Sequence, residues 1–137
     1  MTTIHRLSTS AAAAAMLALS ALAGAPGALA GDAMMESKTA AQHAQLAADS
    51  ADLEMVRAHL HHAVNCLVGP DGDGFDSTQA NPCQDQGSGA IPDAGDAAIK
   101  QKLEAALAVA MDGLASDDLA QAQMAATKTG EMLNQGM

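Results

Sequence analysis

Aromatic side chains are almost missing from this chain: it has no Trp, no Tyr and one Phe, Phe75. Its apolar content is mostly Ala, with some Leu, Val and Met, so a folded core must be thin and closely packed. Bases are scarce as well. Six Lys and Arg stand against sixteen Asp and Glu, a formal charge of −10. That balance argues against nucleic acid and anionic membrane surfaces, which both select basic patches, and it is compatible with cation binding. With only two cysteines the chain has no CxxC and no CxxCH, which argues against a thioredoxin-like redox site and covalent haem. Paired Glu-x-x-His motifs, serine-nucleophile motifs and phosphate loops are missing too, and the expectation is a non-enzymatic protein. No apolar run reaches the roughly 20 residues of a membrane-spanning helix.

Residues 1–30 have the form of a secretory signal peptide. Arg6 precedes the apolar run "AAAAAMLALSALAGA", and "ALA" at 28–30 is a small-x-small cleavage site. The expected mature chain is a single helical domain at 31–137, periplasmic or secreted and not membrane-bound once the signal is removed. In that compartment Cys66 and Cys83 are expected to form a disulfide. It would close a loop of about 18 residues and stabilise the fold by on the order of 3 kcal/mol, a large share for so small a domain.

Helix formers dominate two blocks, separated at 69–95 by "GPDGDGFDSTQANPCQDQGSGAIPDAG", which carries three of the four prolines. No stretch alternates with period two. The expected fold is all-α: a four-helix bundle from two αα-hairpins, 31–68 and 96–137, joined by the long disulfide-closed loop. In the second block Gly113 reads as a helix terminator and Ser116 as an N-cap. The first block has a related stretch, "LAADSADLEM". An offset of 66 residues places Ser50, Asp52, Leu53 and Leu67 opposite Ser116, Asp118, Leu119 and Leu133, without gaps. No Gly or Pro interrupts the first block, so one long helix is the alternative there. Apolar residues recur at helical spacing: Leu53, Val56, Leu60, Ala63, Val64 and Leu67 on one face, then Ile99, Leu103, Ala106, Leu107, Ala110 and Leu114 on another. Phe75 and Ile91 are expected to plug an open end of the bundle.

"HLHHAVNC" at 59–66 carries the chemistry. At about 100° per residue, Met55, His59, His62 and Cys66 form one stripe and His61 points elsewhere. His59 and His62, three apart, can offer two nitrogens to one metal ion. A hairpin turning near 48–50 would bring His43 to them as a third ligand, and Met55 would suit Cu(I). Glu36, Asp49 and Asp52 could add oxygen ligands. "DGDGFD" fails the EF-hand pattern, because positions five, six and twelve from Asp71 are Phe75, Asp76 and Pro82. Looser calcium binding by Asp71, Asp73 and Asp76 stands as a minor alternative to simple turn formation.

The stretch "LAADSADLEMVRAHLHHAVNCL", with its matching second hairpin, resembles the small periplasmic metal-binding proteins of bacteria. These are short, exported, His-bearing helical bundles, and the resemblance implies binding of divalent copper, nickel or zinc. Here, beyond the signal, histidines lie only at 43, 59, 61 and 62. The leading expectation is therefore an exported helical protein that sequesters or transfers Cu, Zn or Ni. The alternatives are an envelope interaction module, docking a protein through its acidic surface and the Phe75 loop, and a non-covalent haem carrier.

Overall fold

The computed structural model describes residues 31–135, and the expected signal peptide lies outside the described residues. The described residues are all-α. The helices are α1 (Ala33–Ala48), α2 (Leu53–Val68), a single turn α3 (Ala90–Asp93), α4 (Ala97–Ala115) and α5 (Leu119–Gln135), with no strand among the described residues.

Aspartate opens each long helix. Asp32 accepts a hydrogen bond from Met35 N, Asp52 from Met55 N, Asp96 from Ala98 N and Ile99 N, and Asp118 from Gln121 N. These carboxylates satisfy N–H groups that the first turn leaves unpaired and place negative charge at the positive end of the helix dipole. Asp52 and Asp118 are the pair matched by the 66-residue offset. The serines before them do other work. Ser50 Oγ donates to Leu46 O at 2.7 Å, and Ser116, expected as an N-cap, instead ends α4. The first block is two helices, because Asp52 breaks it with extended backbone (φ −136°, ψ 155°).

Gly113 also departs from expectation. It lies inside α4, not at its end. A Cβ there would sit 2.9 Å from both Ala125 Cβ and Leu60 Cδ1. The missing side chain lets α4 approach α5 and α2 closely, so the residue serves packing and not termination.

α1 packs against α2 and α5, and α4 packs against α5 and α2. The core between them consists of Ala40, Ala44 and Ala47 from α1, Val56, Leu60, Ala63, Val64 and Leu67 from α2, Leu103, Ala106 and Ala110 from α4, and Ala122, Ala126 and Leu133 from α5. The apolar stripes of the sequence supply these buried faces, with Leu53, Ile99, Leu107 and Leu114 only half-buried against them. Two side-chain bonds tie the interhelix turns together. Arg57 donates to Ser116 O (2.6 Å), and Gln123 donates to Ser50 O (2.8 Å).

The connecting segment is well tied down. Cys66 and Cys83 are disulfide-bonded, with Cα atoms 5.1 Å apart. Beside Cys66, the fully buried Asn65 donates to Asp76 O and Ala80 O and accepts from Asp76 N, three bonds that shape the loop. Phe75 and Ile91 are half-buried and pack on the core. Gly69, at φ +69°, ends α2 where any Cβ would collide with the Ser88 carbonyl.

Candidate metal centre

The four-residue turn at 49–52 folds α2 back against α1. α1 contributes His43 near its C-terminal end, and α2 contributes His59 and His62 from adjacent turns. The three rings meet. His43 and His59 have centroids 5.8 Å apart, His43 and His62 5.1 Å, and His59 and His62 5.5 Å. One ligand nitrogen from each lies within 4.8 Å of the others, and all three residues are half-buried. This group can hold a metal ion. Among the described residues no other set of three His, Cys, Asp or Glu converges in this way.

The hydrogen bonding of the rings points the same way. Nδ1 of His43, His59 and His62 is buried in each case, with no hydrogen-bond partner. A buried polar atom left unpaired costs about 1–3 kcal/mol. Nδ1 of His61, outside the group, is unpaired as well, so it is the convergence of one nitrogen from each ring that marks the site. Electrostatics favours the ligating form of the rings. Burial holds the His43 pKa below the ordinary histidine value, and the neighbouring His62 and His59 push in the same direction. Burial likewise lowers His62, assisted by His59 and His61. Rings with depressed pKa values are neutral at pH 7, and their lone pairs are free for a metal.

The remaining candidates are placed elsewhere. Met55 lies one turn before His59 and is 45% exposed. His61 Nδ1 is 3.8 Å from Asp76 Oδ2, on the side facing the loop. Cys66 is committed to the disulfide and is not a thiolate donor. Glu36 is fully buried, with Oε1 accepting from Gly89 N at 2.9 Å. Asp49 accepts from Gln45 Nε2, and Asp52 caps α2. The oxygens of Asp71, Asp73 and Asp76 do not form a converging group. Asp76 accepts from both Thr78 N and Thr78 Oγ1, bonds that hold its carboxyl below the usual range. Asp71 and Asp73 instead border a cavity of about 450 Å³ between the loop and α4, with Val68, Ile91, Lys100 and Leu107 around it and no histidine in its wall. Phe75, the expected docking residue, packs on the core.

Comparison with protein-family models, curated proteins and solved structures finds no match to the chain. The site therefore stands on its own geometry.

Two burials that shape the surroundings escaped the sequence reading, which offers Glu36 only as an oxygen donor. Asn65 carries no local signal, since an Asn inside a helix is ordinarily exposed. Glu36 sits in the first turn of α1, where acids are expected to face solvent. Its burial raises its pKa to about 7, opposed by the Gly89 N–H and assisted by the nearby Asp93 and Asp32 carboxylates.

Proposed function

We propose that this chain is an exported, non-enzymatic four-helix bundle of two αα-hairpins that binds one transition-metal ion, Cu, Zn or Ni, through His43, His59 and His62, for sequestration or transfer. One observation carries the reading: three imidazoles from two helices converge within 4.8 Å, each with a buried Nδ1 that has no protein partner. Imidazole is a favoured ligand of all three metals, and three such ligands constitute a known zinc donor set.

Separate features support the proposed location. The leader-like residues 1–30 precede the helical domain, and the Cys66–Cys83 disulfide suits an oxidising compartment. No helix among the described residues is long and apolar enough to cross a membrane. The resemblance to small periplasmic His-bearing helical proteins agrees with both.

Equilibrium titration with Cu²⁺, Zn²⁺ and Ni²⁺ tests the reading. One ion per chain is expected, with binding abolished in the His59→Ala/His62→Ala double variant. Unchanged affinity in that variant would sink it. A Soret band on purified protein would favour the haem alternative instead, and capture of one defined partner regardless of chelator would favour the interaction module.

A further inference from the structure

Three imidazoles do not complete the coordination of a divalent ion such as Zn²⁺, which takes four donors. A fourth donor from the chain would have to be another His, Cys, Asp or Glu, and none joins the three rings among the described residues. Cys66 is in the disulfide, Asp52 caps α2, Asp49 is bonded to Gln45, and Glu36 is buried against Gly89. The thioether of Met55 is a soft donor that suits Cu(I) and is poorly matched to Zn²⁺. The three histidines are only half-buried, so solvent reaches part of each residue.

We propose that the divalent ion held by His43, His59 and His62 keeps a fourth coordination position open to a small Lewis base from outside the chain, and that the metal leaves by associative exchange through that position. The inference rests on the metal-binding reading above. In the exchange step the lone pair of the incoming base forms a bond to the ion and a coordinated water departs. The imidazole–metal bonds then break in turn as further donor atoms of the acceptor bind, with no change in oxidation state. Such a position separates a transfer site from a closed structural one, because closed four-ligand sites leave no room for attack.

The test uses protein from the full chain loaded with Co²⁺ as a visible stand-in for Zn²⁺, with azide, imidazole and EDTA as probes. Loading should give tetrahedral Co²⁺ absorption bands. Azide or imidazole should then shift those bands saturably with one-to-one stoichiometry, and the rate of Co²⁺ transfer to EDTA should rise with EDTA concentration. Bands that ignore both ligands, together with a transfer rate independent of EDTA concentration, would overturn the proposal while leaving the metal site intact. The Met55→Leu variant closes the remaining route. A response that emerges only in Met55→Leu would make the thioether the fourth ligand and also overturn the proposal. Failure of the protein to load Co²⁺ or Zn²⁺ at all would overturn the metal-binding reading along with this one.

Discussion

His43 and His62 meet edge to face between α1 and α2, their ring centroids 5.1 Å apart and their planes at 84°. The contact joins residues nineteen positions apart in sequence, and it depends on where the chain turns. Because α1 supplies only this one ring, His43→Ala should weaken Zn²⁺ or Ni²⁺ binding by at least about 100-fold, beyond the ~10–100-fold typical of outer-shell losses. His61→Ala, on the loop-facing side, should leave affinity unchanged. Competition titration against a chromophoric chelator distinguishes the two variants.

Acid should release the metal. Burial and neighbouring imidazoles hold His43 and His62 below the ordinary histidine value of 6.5, so their neutral forms persist to lower pH than in the unfolded chain. For the metal-free protein the sign follows directly. Between the folded and unfolded pKa values the unfolded state binds more protons, so this contribution to stability is fully present above pH 6.5 and is lost as pH falls through the folded values. Metal-loaded protein should therefore keep its ion at pH 7 and lose it as the rings protonate below about pH 6. Affinity measured at half-unit pH steps checks this.

Glu36 works in the opposite direction. Its pKa is raised from 4.5 to about 7 in the folded protein, mainly by burial. Between those values the folded state binds more protons, so this contribution to stability is present below pH 4.5 and is lost as pH rises to about 7. Glu36→Gln keeps an acceptor for the Gly89 N–H without the charge. It should stabilise the metal-free protein at pH 8 by on the order of 2 kcal/mol and change little at pH 4. Urea unfolding at the two pH values provides the measurement.

The Cys66–Cys83 bridge should contribute to stability and much less to affinity. The Cys66→Ala/Cys83→Ala variant is expected to lose about 2–4 kcal/mol against urea, as a loop of this length implies. The His group stands on the α1–α2 pair, so its metal affinity should change far less than in His43→Ala. Both quantities come from one preparation of the variant.

Gly113 should tolerate no side chain. Gly113→Ala places a methyl 2.9 Å from Ala125 Cβ and Leu60 Cδ1. Despite the better helix propensity of Ala, the substitution should destabilise by about 1–3 kcal/mol, as overpacking does. A lowered Tm is the expected outcome, and an increase would show that the interface yields easily.

Much of this architecture was legible from local pattern. The apolar spacing of Leu53 to Leu67 marked the buried face of α2, because helical periodicity is a local property. The pairing of Cys66 with Cys83 was fixed by there being only two cysteines. The helix starts were less legible. Ser50 and Ser116 compete with Asp52 and Asp118 as caps, and both residue types suit the position, so only backbone geometry chose the aspartates. Gly113 misled for a related reason: glycine ends helices and also permits close packing, and the two roles look alike until a neighbouring helix is present.

The amino-acid sequence by itself determined helix content, the buried stripes and the placement of His59 and His62 on one surface, since each depends on neighbours within a turn or two. It also removed the thiolates from the donor list by committing both cysteines to one bond. Only the tertiary structure decided that His43 joins them, that Asn65 and Glu36 are drawn inside to hold the loop, and that the carboxylates near the rings face elsewhere. Those outcomes depend on the angle and register at which separate helices meet, which a repeating local pattern does not encode.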